Sequence, residues 1–440
     1  MIPANAVNGG QPQLGLAYDT DIPGTRCGPE DGPWPRPYQV LDEPNLWREL
    51  ITLARPQRII FDSVRGRRAD AINFQPCLTT RTQDRYVVQQ LDIHGRMWTL
   101  TGVFDGHLGD ATVEHTAYHL PIIIRDFLRE AFAQDPARPA TTAFISDLLS
   151  RSMTSFDDAI AGDVMDLFPG GLESLPSLSN DHIQKTINDI HHGGVNYKKA
   201  RLCMYGTTAL VALVDPDHEN LWLANLGDCQ AVMVSQTSSH DWSIEPLTTN
   251  QNGGNIAEVE RVRREHPGEP DCVQDHRVLG AIAPFRCIGD IPFKQPPVFT
   301  RRILYNLYPG FHNTSPWEEF LSLNRTPPYI SAKPEVTHHR LDRLSPINGQ
   351  VTPTRLLILS SDGLTDLCQG LGQQKVISTW ARNLHRTTGQ GTTGVKSGNM
   401  ALQLLWQALG GTDSDSVSRV LTLDMDSSWI DDTAIVVQVL

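Results

Sequence analysis

Apolar runs that stop abruptly in Asp-Gly constrain this chain more than any other feature. The run Trp98 to Phe104 ends in Asp105-Gly106-His107, and Arg355 to Ser361 ends in Asp362-Gly363. A strand inside a sheet is a rigid support, so its end presents a carboxylate with little freedom to move. Gly106 has no side chain, which lets its backbone oxygen approach whatever Asp105 binds. His107 adds a proton carrier next door. An isolated Asp-Gly is only a common turn. Its recurrence at buried strand ends is what calls for a chemical explanation.

The 440 residues are 40% hydrophobic and 20% charged, which suits a globular chain of one large or two ordinary domains. The net charge of −13 argues against nucleic acid as a partner. A phosphate-bearing substrate would then need local positive charge, which bound metal supplies. Seven scattered cysteines without a Cys-x-x-Cys pair suggest a reducing compartment. No Cys has an Arg six positions later, which sets aside a cysteine-based phosphate-hydrolysing loop. No apolar run approaches the roughly 18 residues of a membrane span.

Residues 1–56 are rich in Pro and Gly and read as an irregular extension suited to partner binding, with one short helix within Asn45 to Ala54. Arg58 to Val64, Asp84 to Leu91 and Trp98 to Phe104 read as strands. Antiparallel pairing of the last two would bring Asp84 near Asp105. Ala111 to Phe132 has helical spacing despite Pro121, and a second helix is expected from about Thr141 to Ile160. Ala161 to Ala200 reads as polar loop, with His191 and His192 on the surface. Tyr205 to Asp215 and Asn220 to Val234 are strand-rich, the second kinked at Asn225 to Asp228. Ile256 to His266 is a charged helix, and about 294–328 is an insertion without clear period. Lys375 to Leu384 and Asn399 to Leu409 read as helices flanking a Gly/Thr-rich loop. Asp431-Asp432 precedes the final strand, Thr433 to Leu440. Hairpins mixed with helical blocks favour an α+β class with mainly antiparallel sheets.

Asp84, Asp105, Asp362 and Asp431 thus stand at strand ends, with Asp228 and Asp366 close to apolar sequence. Buried carboxylates need cations, donors or water. Oxygen-only ligation without a His or Cys cluster favours Mg²⁺ or Mn²⁺ over zinc. Two such ions, about 3.5–4 Å apart, can activate water for in-line attack on phosphorus. The leaving alkoxide then needs an acid, and His107 is placed to serve.

The ordered motifs VFDGHLGD, ANLGDCQAVM, LSSDGLTD and DDTAIVV resemble those of the metal-dependent protein Ser/Thr phosphatases of the 2C type, over roughly Arg58 to Leu440. The resemblance implies a two-sheet antiparallel β-sandwich flanked by helices, occupying 57–440. It implies that Asp105 bridges two Mg²⁺ or Mn²⁺ ions, that the Gly106 carbonyl joins it, and that Asp362 and Asp431 complete one site. Asp84 acts through water; Asp228, Asp362 and Asp366 match a third, weaker site; His107 matches the proposed general acid. The stretches EVERVRREHP, QDHRVLGAIAPFRCIGD and TPPYISAKPEVTHHRL resemble the pyruvate dehydrogenase phosphatase branch, with Asp290 positioned to support the metal region. Departures are Gln83 in place of a second acid, Leu108 at a usually small position, Cys229-Gln230 after the Gly-Asp, Asn250-Gln251-Asn252 for an Asp-His pair, and Arg81 offset from a phosphate-binding Arg.

The expected function is therefore a metal-dependent phosphatase acting on phosphoserine and phosphothreonine in proteins. The alternatives are a mitochondrial pyruvate dehydrogenase phosphatase and a catalytically weak scaffold of the same fold that binds phosphoproteins. A nucleotide-binding enzyme lacks any Walker or dinucleotide Gly pattern. Asp19 and Asp21 precede the first Arg, Arg26, and no basic amphipathic helix is visible, so the sequence favours cytosol or nucleus.

Overall fold

The computed structural model describes residues 13–133, 135, 141–237, 241–311, 314–341, 355–387 and 398–440. Residues 1–12 and most of the Gly/Thr-rich loop lie outside the described residues. The chain divides into two units. One is Met1–Gln57, Ala71–Thr82 and Gly363–Thr433; the other is Arg58–Asp70, Gln83–Asp362 and Ala434–Leu440.

In the first unit, β1 (Leu14–Ala17) pairs antiparallel with β2 (Arg36–Gln39), and α1 (Glu43–Ala54) follows. Asp42 caps α1 by accepting from the Asn45 N–H at 3.0 Å. Leu46, Trp47, Leu50 and Leu53 form its buried stripe. Trp47 stacks on Trp406 with centroids 4.3 Å apart. The irregular extension expected over 1–56 is corrected for this stretch. Within the described residues 13–56, seven of the eleven Pro and Gly residues lie in the connection between β1 and β2, with the two strands and α1 on either side.

Apart from Gln57, residues 71–74 and Thr433, the strands that hold the chemistry belong to the second unit. These are β3 (Gln57–Asp62), β4 (Arg67–Phe74), β5 (Arg85–Ile93), β6 (Arg96–Phe104), β7 (Ala209–Val214), β8 (Asn220–Leu226), β9 (Gln230–Gln236), β10 (Trp242–Pro246), β11 (Glu335–Arg340), β12 (Arg355–Ser360) and β13 (Thr433–Val439). One sheet has the order β11-β8-β7-β6-β5 and the other β10-β9-β12-β13-β4-β3. The ladders β5–β6, β6–β7, β7–β8, β8–β11, β9–β10, β9–β12 and β12–β13 are all antiparallel. Thr101 Oγ1 on β6 donates to Gln438 Oε1 on β13 at 2.9 Å, joining the facing sheets. This is the expected α+β antiparallel sandwich.

Strand β6 shows why these runs are almost wholly apolar. Trp98, Leu100 and Phe104 pack with α2 (Ala111–Phe132) and α3 (Thr142–Met165) in the main core. Thr99, Thr101 and Val103, on the opposite face, are also buried. A strand buried on both faces loses the polar alternation of a half-wet one.

Two further expectations change. Residues 161–200, read as loop, hold the end of α3, a helix at Asn180–Ile187 and α4 (Val195–Leu202). Ile183 and Ile187 do stand one turn apart, but both helices are only eight residues long and too short to stand out from the polar sequence around them. The insertion contains helices Pro297–Arg302 and Ser315–Leu321, anchored by buried Phe299, Phe320 and Leu321. His191 and His192 are exposed, as expected. Strand β4 escapes a pattern search because it begins with two arginines and carries Asp70. That acid is buried and bidentate to Arg58, at 2.6 and 2.8 Å.

Candidate active site

Strands β5 and β6 pair with Arg85 opposite Phe104, so Asp84 and Asp105 flank the same end of one ladder. The main chain of Asp105 is clamped. Its N–H donates to Thr208 Oγ1 at 3.2 Å, and its carbonyl accepts from Thr208 N–H at 2.9 Å and Thr207 Oγ1 at 3.0 Å. Asp84 is buried and accepts from the Ala434 N–H at 3.0 Å through Oδ2. Asp228 sits in the kink after β8, where Asn252 Nδ2 donates to its Oδ2 at 3.0 Å. The Asn250-Gln251-Asn252 departure therefore supports this acid directly. Gln251 Oε1 also accepts from the Gly227 N–H at 2.9 Å. Gly227 has φ 114°, a conformation that favours glycine.

These acids form one electrostatic group. Burial, then the charges of Asp84, Asp362 and Asp228 and a hydrogen bond with Asp362, push the Asp105 carboxyl well above the usual carboxylate range. Asp84, Asp105, Asp228 and Asp362 are thus brought together in the second unit. Asp366 and Asp431 belong to the first unit, where Asp431 is ion-paired with Arg26. Its neighbour Asp432 is buried and accepts from Gln75 Nε2 at 2.8 Å. Gly363 is required beside Asp362, since a Cβ there would overlap the Asp432 carbonyl and stand 2.6 Å from Thr433 Oγ1.

Among the described residues no three His, Cys, Asp or Glu side chains form a closed metal cage. The donor chemistry nevertheless fits a hard divalent cation. The acids are oxygen-only, and their mutual repulsion is what such an ion relieves.

Beside this group stands a proton-carrying pair. His107 Nε2 lies 2.7 Å from Asp290 Oδ2. Burial alone would lower the His107 pKa. The charge and hydrogen bond of Asp290, with Asp228, outweigh it and leave His107 above the ordinary histidine value. The backbone explains the aim of Asp290: Gly289 at φ 82° and Asp290 at φ 49° turn the carboxylate back toward His107. The same oxygen accepts from Cys287 Sγ at 2.9 Å. Burial, then Asp290, push the Cys287 pKa well up, so it stays a thiol donor. Beneath lies a buried ion pair, with Lys294 Nζ at 2.7 and 2.8 Å from the Asp157 oxygens. Asp157 also accepts from the Gly289 N–H at 2.7 Å. Gly206 leaves the room. A Cβ there would overlap Asp290 Oδ2 and stand 2.6 Å from His107 Nε2.

Sequence reasoning named Asp290 without its partner and missed Gly206, Asp157 and Lys294. The Gly206-Thr207-Thr208 stretch ahead of β7 was a readable signal, because glycine before a buried strand often marks a close approach.

Residues 169–393 match the family model described as Protein phosphatase 2C. The chain belongs to the protein phosphatase 2C family. It lies near the family's pyruvate dehydrogenase phosphatase branch. It is 26% identical over 317 residues to the mitochondrial [pyruvate dehydrogenase [acetyl-transferring]]-phosphatase 1 of Rattus norvegicus, covering 65% of this chain and 56% of that protein. It is 37% identical over 171 residues to the human phosphatase 2 of that name, covering 37% and 29%. A protein phosphatase 2C homolog of Schizosaccharomyces pombe is 26% identical over 345 residues, covering 74% and 69%. The chain thus spans about half or less of the mammalian relatives. Among solved structures, a serine-threonine phosphatase 2C from Toxoplasma gondii aligns at TM-score 0.45 and 14% identity, over 88% of this chain and 99% of that one. Dependence on Mg²⁺ or Mn²⁺ is general to the 2C family.

Proposed function

We propose that this chain is a Mg²⁺- or Mn²⁺-dependent protein serine/threonine phosphatase. The gathering of Asp84, Asp105, Asp228 and Asp362 beside the His107–Asp290 pair carries the reading. In it, Asp105, the Gly106 carbonyl, Asp362 and Asp431 would hold two ions, with Asp84 acting through water, and Asp228, Asp362 and Asp366 would hold a third, weaker one. When bound, the ions supply positive charge for the phosphoryl group and lower the pKa of water. His107 does the rest. Its Nε2 is held by Asp290, which leaves Nδ1 to carry the proton to the departing serine or threonine oxygen. A nearby carboxylate favours the charged imidazole, so the acid is loaded before the bond breaks. In this reading 57–440 carries the chemistry and 1–56 serves partner binding.

Hydrolysis of a phosphoserine peptide is the test. It should need Mn²⁺ or Mg²⁺ and stop in EDTA. Full activity in EDTA would overturn the proposal, and no activity with either ion would favour the phosphoprotein-binding scaffold.

The relatives named as mitochondrial pyruvate dehydrogenase phosphatases support a second reading, with phosphorylated pyruvate dehydrogenase as substrate and the mitochondrion as location. Imaging a tagged chain in its own cells separates this from the cytosol or nucleus favoured by the sequence.

A further inference from the structure

A cavity of about 720 Å³ opens between α2, α3 and α4, apart from the acids described above. His115 and His119 line it from α2, one helical turn apart, so both rings project from one face. Their centroids are 4.3 Å apart and their planes are inclined by 43°. Each ring is held by an aromatic neighbour. His115 stacks on Phe156 of α3 at 5.6 Å and 12°, and Tyr118 meets His119 edge-on at 4.8 Å and 78°.

Neither imidazole exchanges a hydrogen bond with another protein group among the described residues. His218 Nδ1 is likewise without a hydrogen-bond partner among the described residues, but other histidines are engaged. His94, His107, His266, His276 and His338 each have a ring nitrogen engaged with a protein oxygen. Buried or half-buried polar groups normally find partners. Two half-buried rings, fixed by packing and facing a common space, leave nitrogen lone pairs available to something outside the protein.

We infer that His115 and His119 form a two-imidazole chelate for a divalent transition ion of the Zn²⁺, Ni²⁺ and Cu²⁺ class. Burial, then the neighbouring His119, hold His115 down to about 4, against the opposing charge of Asp163, so the ring is neutral at physiological pH. A neutral ring has the nitrogen lone pair that ligation of a cation requires. Imidazole suits these ions, whereas Mg²⁺ and Mn²⁺ prefer carboxylate oxygen. No third His, Cys, Asp or Glu completes a set among the described residues, so water fills the remaining positions. Asp163 also lines the cavity and is the negative charge felt by His115, although it is 3.4 Å from Lys199 Nζ and Lys198 and Arg201 line the cavity too. Aromatic packing has already fixed the rings, so less rotamer entropy is lost on binding. The chain would thereby sort metals by chemistry, hard ions to the aspartates and imidazole-preferring ions to α2. This inference stands whether or not the phosphatase reading does.

The test is calorimetric titration of the full chain with Ni²⁺ in excess Mg²⁺. The native protein and Asp105→Asn should show the same Ni²⁺ site, with a higher melting temperature when it is filled. The double variant His115→Gln/His119→Gln should lose one equivalent of Ni²⁺ and the thermal shift. The metal-free melt of the double variant reports its folding. If it does not fold, His119→Asn alone takes its place and should weaken binding about tenfold or more, 1.4 kcal/mol per decade. Unchanged stoichiometry and affinity in a folded histidine variant, no Ni²⁺ binding by the native chain, or loss of the site in Asp105→Asn would each overturn the inference.

Discussion

His107 Nε2 stands 2.7 Å from Asp290 Oδ2, although the two residues are 183 positions apart. The contact makes Asp290 a positioning residue for the proposed acid. Asp290→Asn keeps an acceptor but removes the charge that favours the imidazolium. On a phosphoserine peptide, kcat should fall by up to about 10²-fold, the scale on which small misplacements act. An aryl phosphate, whose phenolate leaves without help, should suffer much less. His107→Gln should show the same split. Equal losses on both substrates, in either variant, would count against the acid role.

Gly206→Ala should strike the same pair from behind. The added methyl would occupy space held by Asp290 Oδ2 and His107 Nε2. A kcat loss of roughly 10²-fold is expected. Combined with His107→Gln, it should add almost nothing, since both remove one function. Independent, multiplying losses would show that Gly206 acts elsewhere.

The acids and the His were legible because they sit in local patterns, Asp-Gly at the end of an apolar run. The neighbour pairing of β5 and β6, which the hairpin-like spacing suggested, brings Asp84 to Asp105, whereas Asp228 and Asp362 arrive from other strands. The supports were illegible for a different reason. Asp157 lies in α3 while Cys287 and Lys294 lie in one distant stretch, and each alone reads as ordinary helix, loop or core. Strand β4 was hidden by Arg67, Arg68 and Asp70, the last of them satisfied by Arg58, a partner that one-dimensional spacing does not display. In 13–56 the helix expected at Asn45 to Ala54 is present as α1, whereas β1 and β2 were missed because four-residue strands in a turn-rich stretch show too little alternation to read.

Lys294 and Asp157 predict a stability effect without direct chemistry. The two are almost fully buried and bonded at 2.7 and 2.8 Å. Lys294→Met strands a buried carboxylate and should cost about 3–5 kcal/mol. The double change Lys294→Met/Asp157→Leu should recover much of that loss. Denaturant midpoints of the three proteins give the answer, and a mild effect of the single change would show the pair to be dispensable.

Glu258 predicts a pH dependence. Arg286 holds it at 2.5 and 3.0 Å and Arg261 at 2.9 Å. Burial alone would raise its pKa, but the hydrogen bonds from Arg286 and Arg261 outweigh that and hold it below the ordinary 4.5. A depressed folded pKa stabilises above the unfolded value, and that stability is lost as pH falls through the folded pKa. Glu258→Gln should therefore cost about 2 kcal/mol at pH 7, a hydrogen-bonded charge's worth. The difference from native should shrink below pH 4.5. A gap that stays constant down to acid unfolding would assign the effect to packing.

Asp105 should separate stability from metal response. Its carboxyl is surrounded by the negative charges of Asp84, Asp362 and Asp228. Without metal, Asp105→Asn removes repulsion while the Thr207 and Thr208 clamp on its main chain remains. The metal-free variant should be more stable than native by on the order of 1 kcal/mol. With Mn²⁺ the order should reverse. Native protein gains by linkage because the ion binds only the folded state. The variant lacks the bridging charge and should gain little. Melting curves of both proteins, with Mn²⁺ and with EDTA, give four numbers. A variant that is less stable in EDTA yet still stabilised by Mn²⁺ would show that Asp105 is a structural acid and that the ion sits elsewhere.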